Sequence, residues 1–173
     1  MIKYLRYLRY LAIHKWYVFR ECLGRGLIWR GIIHDFSKFL PSEFIPYARY
    51  FYGAYPKMSD MTSGEKERYF LNGGGLTKEW VRINFDEAWL YHQHRNKHHH
   101  QFWCLRYDNG DVKPLEMPLV FVKELVADWR GAGMAVNGKD DILGWYIKNR
   151  DNMLLHKTTR INIEKMIGYN NGC

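Results

Sequence analysis

The stretch Gly31-Ile32-Ile33-His34-Asp35-Phe36-Ser37-Lys38 decides how the rest of the chain is read. An apolar run leads into an adjacent His and Asp, and a Lys follows three residues past the Asp. Neighbours on a helix point apart by about 100°. A metal lodged beside the helix can still take an imidazole from one and a carboxylate from the next. Such a pair needs further ligands from other helices. The chain offers His14 upstream, Asp128 downstream and, between them, His92, His94, His98, His99 and His100.

The bulk composition sets the frame for that reading. A chain of 173 residues is long enough for one domain with a real core, so the expectation is a single domain over residues 1–173. Charged residues make up 25%, an ordinary folded composition that argues against disorder. The formal charge of +8 suits an anionic partner. Its basic residues are spread along the chain, which favours a small phosphate-bearing ligand over a nucleic-acid footprint, although nucleic acid stays open as a partner. Cys22, Cys104 and Cys173 are widely spaced with no CxxC, so a reducing compartment is expected and zinc held by cysteines is not. No signal peptide and no uncharged apolar run near the roughly 20 residues of a membrane span is seen. The expected location is cytoplasmic.

Taken in order, residues 2–23 read as an amphipathic helix carrying His14, closed by Gly24-x-Gly26. A second helix over about 27–38 carries His34 and Asp35. Pro41 opens a third over about 41–53. Residues 54–76 hold Pro56, Gly64 and the triplet Gly73-Gly74-Gly75, and read as a loop or lid with a short helix around 64–71. Thr77 can cap a long helix through about residue 100. Phe102–Tyr107 and Val112–Lys113 can form a short hairpin across the turn Asp108-Asn109-Gly110-Asp111. Pro118 opens a helix through about 130, ended by Gly131-Ala-Gly133. A short helix to 149 and a last one over about 151–168 follow. The fold class is mainly all-α.

The run His92-Gln-His94-Arg-Asn96-Lys-His98-His99-His100 packs five histidines into nine residues. His94 and His98 are four apart and would share a helical face. Glu124 and Asp128 are also four apart, on a largely apolar helix where a carboxylate costs several kcal/mol to bury unless paired or metal-bound.

The order His14, His34-Asp35, histidine cluster, Asp128 resembles the HD-domain superfamily of metal-dependent phosphohydrolases. Ile32-Ile33-His34-Asp35-x-x-Lys38 is similar to that family's apolar-HD-x-x-K signature, and Val126-Ala127-Asp128 to its closing apolar-Ala-Asp. The resemblance covers roughly residues 10–130. The chain also looks like an uncharacterised family of small phage and bacterial proteins that share its HKW, HDxSKF-x-PSEF and ADWRGAG segments. Two departures stand out. His14 and His34 are only 20 residues apart, and the histidine cluster is denser than one metal needs.

The resemblance implies a single-domain HD-like helical bundle holding one or two divalent ions. The implied ligands are His14, His34, Asp35 and Asp128, with His94, His98 and His99 from the cluster. Imidazole and carboxylate suit Mn, Fe, Zn, Co or Ni better than Ca. Such an ion activates water and polarises a phosphoryl oxygen. Asp35, Lys38 and His98 are the expected catalytic groups. Lys38, Arg95 and Lys97 are expected to meet phosphate oxygens, and Trp129, with Trp16, Tyr47 and Tyr50, to stack on a base. The expected function is hydrolysis of a nucleotide or small phosphoester or phosphodiester. Two alternatives stay open: a di-iron oxygenase on the same scaffold, and a metal-stabilised module that binds nucleic acid or protein without catalysis.

Overall fold

The computed structural model describes residues 2–53, 58–71 and 78–170. It is mainly α-helical, with one two-stranded sheet. The helices are α1 (Ile2–Gly24), α2 (Ile28–Ile33), α3 (Pro41–Tyr52), α4 (Ser63–Leu71), α5 (Lys78–Arg95), α6 (Leu119–Asn137), α7 (Ile142–Asn149) and α8 (Lys157–Ile167). The chain divides into two compact units. The first takes residues 1–9 and 36–92, the second residues 10–35 and 93–173. No helix of the described residues is long and apolar enough to cross a membrane.

In the first unit partly exposed aromatic rings, Tyr50 among them, pack around buried Tyr7, Tyr47 and Ala48. Tyr7 packs on Phe44 at 5.1 Å between centroids, and Tyr50 stacks on Phe85 at 4.0 Å. Met61, Trp80 and Val81 form a smaller buried group. Pro41 sits at the first turn of α3, where its missing N–H is not needed, and Gly53 ends that helix in the left-handed region. α4 falls where the sequence indicates a short helix, inside the stretch read as a loop or lid. Thr77 and the glycine triplet lie outside the described residues. Glu43 and His92 are fully buried and joined at 2.8 Å, and the Ser37 hydroxyl donates to the same Glu43 oxygen at 2.9 Å.

In the second unit, one face of α6 buries Val122, Leu125 and Val126 with Ile142 and Tyr146 of α7 and Ile163 and Ile167 of α8. The hairpin is present as β1 (Cys104–Arg106) and β2 (Val112–Pro114), antiparallel, with Leu105 opposite Lys113. Its turn is the one the sequence indicates: the Asn109 amide donates to Asp111, and Gly110 takes φ 92°.

Four helix boundaries differ from the sequence reading. α2 stops at Ile33 rather than running to 38, and a separate 3-10 turn covers Phe36–Phe39. α5 ends at Arg95 rather than near 100, and the His99 N–H turns back to the Asn96 carbonyl at 3.1 Å. The last helix starts at Lys157, where His156 accepts from the Thr158 N–H, after a 3-10 turn at Arg150–Asn152. Gly131-Ala-Gly133 does not end α6, which continues to Asn137 and closes on Gly138 at φ 69°. Gly131 serves packing instead. A Cβ there would stand 2.4 Å from Val18 Cγ2 and 3.1 Å from the Val18 backbone nitrogen. α1 and α6 therefore touch at a point that admits no side chain.

Candidate metal centre

The second unit brings His14, His34, Asp35, His98, Glu124 and Asp128 into one buried group. None of the six is more than 8% exposed. Each arrives from a different local cause. His14 is one turn before Val18 on α1, so the close α1–α6 contact at Gly131 also sets His14 against Asp128. Glu124 and Asp128 lie one turn apart on α6, on a face distinct from its apolar core face.

His34 and Asp35 are not on a helix. His34 is the C-cap of α2, and Asp35 takes φ 53°, the left-handed region. Asp tolerates that conformation better than most residues, at a cost of about 1–3 kcal/mol. The turn lets two neighbours aim into one site, which helical neighbours do not readily do. It is held by Lys15, whose ammonium donates to the carbonyls of Ile32 at 3.1 Å and His34 at 2.6 Å. His98 also comes from a turn, after the end of α5.

The donor atoms converge tightly. Asp128 Oδ1 lies 3.2 Å from the Nε2 atoms of both His14 and His34. Asp35 Oδ2 is 3.6 Å from His14 Nε2 and 3.4 Å from His34 Nε2. Asp35 Oδ1 is 3.3 Å from His98 Nε2. The four donors of His14, His34, Asp35 and Asp128 all lie within 4.8 Å of one another, the spacing of a group that can hold a metal ion. Asp35, His98 and His99 satisfy the same spacing. His14 adds a chemical argument. Its ring is 1% exposed, its Nδ1 has no hydrogen-bond partner among the described residues, and its Nε2 faces Asp128 at 3.2 Å and Asp35 at 3.6 Å outside hydrogen-bond geometry. A buried imidazole without such a partner, aimed at two carboxylates, fits a cation between them.

The electrostatics agree. Burial alone would depress the His34 pKa, but the Asp35 carboxylate and hydrogen bonds to Asp128, Asp35 and Glu124 hold it well above its ordinary value. His98 is likewise raised, with burial and the His34 charge outweighed by Asp35 and Glu124. Burial would raise the two acids on α6. Their histidine partners instead pull Glu124 down to about 2 and Asp128 well below the usual carboxylate range. Without a metal, the protons that His34 and His98 share with these carboxylates help hold the group together.

Glu124 is a member of the site that the ligand set read from sequence lacks. Its Oε1 is 3.2 Å from His34 Nδ1 and 3.4 Å from His98 Nδ1, and its Oε2 accepts from Arg30 Nη1 at 2.9 Å. Its i, i+4 relation to Asp128 is the signal of this role that the sequence carries.

A family model matches residues 3–169, nearly the whole chain and all six residues of the cluster. The chain belongs to DUF5662, a family of unknown function. No curated protein and no solved structure matches it. Membership of DUF5662 assigns the cluster no chemistry, so its chemistry rests on the positions of its donor atoms.

The remaining expected site residues of this DUF5662 chain are placed as follows. His94 is exposed on the last turn of α5 and belongs to none of the buried groups, which corrects its reading as a ligand. Because the helix ends at Arg95, His94 and His98 do not share a helical face. His99 is 7% exposed with its ring 4.2 Å from that of His98. Arg95 and Lys97 are exposed beside it in the chain, and Lys97 lies over the Phe102 ring. Lys38, in the first unit, has its ammonium 5.9 Å from the Tyr47 ring. Trp129 packs on Trp145 at 4.9 Å and joins the apolar core of α6, α7 and α8, so its ring is explained by packing and not by a base. Tyr47 is core, and Tyr50 is stacked on Phe85. Trp16 remains exposed.

Proposed function

We propose that the protein is a metal-dependent phosphohydrolase acting on a nucleotide or a small phosphoester. The observation that carries the reading is the convergence of His14, His34, Asp35 and Asp128, buried and within one ligand spacing. These four would hold a divalent transition metal of the Mn, Fe, Co, Ni or Zn type, since mixed imidazole and carboxylate donors suit those ions. Asp35, His98 and His99 offer places for a second ion. A bound ion of this kind supplies a water of lowered pKa and polarises the phosphoryl oxygen under attack.

The chain's own groups do the rest. In a one-ion site Asp35 would orient water through its second carboxylate oxygen. In a one-ion site His98, whose basicity Asp35 and Glu124 raise against burial and the His34 charge, would give its Nε2 proton to the leaving oxygen; in a two-ion site it would be a ligand instead. Arg95 and Lys97, exposed just ahead of His98 in the chain, draw an anionic substrate toward it. The net charge of +8 acts in the same sense.

The test is a panel of nucleoside mono- and diphosphates, cyclic nucleotides and linear dinucleotides, assayed with Mn(II) or Co(II) for phosphate or nucleotide release. Turnover of one class by the parent, lost in Asp35→Asn and Asp128→Ala, supports the reading. Metal-loaded protein inert across the panel, but consuming oxygen when loaded with iron, overturns it in favour of oxygenase chemistry.

A further inference from the structure

Glu124 differs from the other two carboxylates of the cluster in what it faces. Asp35 and Asp128 meet the Nε2 atoms of the histidines, whereas Glu124 meets Nδ1 of both His34 and His98 with one oxygen. Its other oxygen is occupied by the Arg30 guanidinium at 2.9 Å. Arg30 is itself fixed by stacking over the Phe121 ring at 4.2 Å. Phe121 and Glu124 stand on the same helix, one turn apart. The chain Phe121, Arg30, Glu124, His34 and His98 is therefore a built relay whose outer end is packed and whose inner end holds two imidazoles.

We infer that Glu124, pinned by Arg30, is a positioning residue that fixes the Nδ1–H tautomer of both His34 and His98. This role rests on the metal reading above. An ionised carboxylate has only acceptors to offer, so both rings must present N–H to it. The same proton placement turns both Nε2 atoms toward Asp35 and Asp128: that of His34 as a lone pair for the metal, that of His98 as the atom that takes up and releases a second proton. A single carboxylate thus sets the ligand and the proton donor together, and a change at Glu124 is felt by both. Charge fits the division of labour. Arg30 balances Glu124, which leaves Asp35 and Asp128 as the two negative charges for a divalent cation. Carboxylates that orient metal-bound histidines in this way change metal affinity by about 10- to 100-fold when lost.

The experiment is Co(II) titration of the full chain, followed by visible absorption, on wild type, Glu124→Gln and Arg30→Gln. Zn(II)-loaded samples labelled with 15N at histidine report the tautomers by long-range 1H–15N correlation. Glu124→Gln keeps the side-chain volume but offers one acceptor and one donor. It is expected to bind Co(II) about 10- to 100-fold more weakly, with the ligand number unchanged and the His98 ring no longer held in a single Nδ1–H form. Arg30→Gln alters the relay from its more exposed end, so it is readable even if Glu124→Gln does not fold. A smaller loss of affinity in the same direction is expected.

Wild-type affinity and unaltered tautomers in both variants overturn the positioning role while leaving the metal reading standing. Loss of one ligand from the Co(II) spectrum of Glu124→Gln also overturns it, because Glu124 would then be a ligand itself. Wild-type protein that binds no Co(II) overturns the metal reading beneath it.

Discussion

Two faces of α6 do opposite things. On one, Val122, Leu125 and Val126 are fully buried against apolar side chains of α7 and α8. On the other, Glu124 and Asp128 are buried almost as deeply against histidines. The apolar face gains free energy by leaving water, roughly 25 cal/mol for each Å² removed. The polar face loses it, since each buried ion costs several kcal/mol before its partners compensate. A stable fold needs the first face. The second is costly for a protein that needs only to fold, and the convergence of its donors is what a metal would reward. The contrast separates the residues that hold the unit together from those to which the proposed function assigns its chemistry.

The sharpest break falls on the polar face. Asp35→Asn keeps a residue that tolerates the left-handed turn, so it should leave the helical circular-dichroism spectrum intact while removing bound metal and turnover below detection. Elemental analysis and the phosphoester assay check this. The same turn with full metal content would show that Asp35 is present for backbone reasons alone.

Next in size is a break on the apolar face. Leu125→Ala should cost about 2–5 kcal/mol in urea unfolding. Metal content of the folded fraction should not change. If metal is lost in proportion to stability, the two faces are not separable and the division between them fails.

A smaller effect is expected where the faces meet. Gly131→Ala places a methyl against Val18 and should destabilise by about 1–3 kcal/mol. Because Val18 is one turn from His14, the α1–α6 separation should widen and metal affinity should fall as well. Unchanged affinity by calorimetry would mean that His14 is positioned independently of this contact.

The mildest perturbation is pH. The carboxylates around His34 and His98 raise their pKa values, so a metal competes with protons there at higher pH than at an ordinary histidine. Metal affinity should keep rising with pH beyond the ordinary histidine range, instead of levelling at about 6.5. Calorimetry in buffers of different ionisation enthalpy should show protons released on binding. The metal-free fold should behave in two ways. The share of its stability from His34 and His98 is complete below about 6.5 and lost as pH rises through their raised values. The share from Glu124 and Asp128 is present above about 4 and lost as pH falls, for Glu124 toward about 2. Proton uptake on binding metal would contradict the assigned charge states.

Much of this architecture can be read in the sequence because periodicity is local. The start of α6 after Pro118, the hairpin around Asn109-Gly110 and the span of α1 each follow from residues within a few positions of one another. The four expected donors His14, His34, Asp35 and Asp128 also meet as the order of the motif suggests. What the sequence hides is set by distant partners. Gly131 looks like a helix terminator until Val18, 113 residues earlier, is seen to need the space. Asp35 looks helical because Ile32 and Ile33 precede it, and its left-handed turn depends on Lys15 reaching two carbonyls. Glu124 escapes notice as a site residue because its partners His34 and Arg30 are about ninety positions away. The histidine run blurs into one pattern because nothing local separates exposed His94 from buried His98 on opposite sides of a helix end.

The most direct measurement is the metal content of untagged protein, wild type and Asp128→Ala, purified side by side and again after reconstitution with Mn(II), Co(II) or Fe(II). One or two equivalents of a transition metal in the wild type, absent from the variant while its fold persists, is the predicted result. No metal in either sample after reconstitution would contradict it, and the buried histidines and carboxylates would then be a proton-held packing cluster.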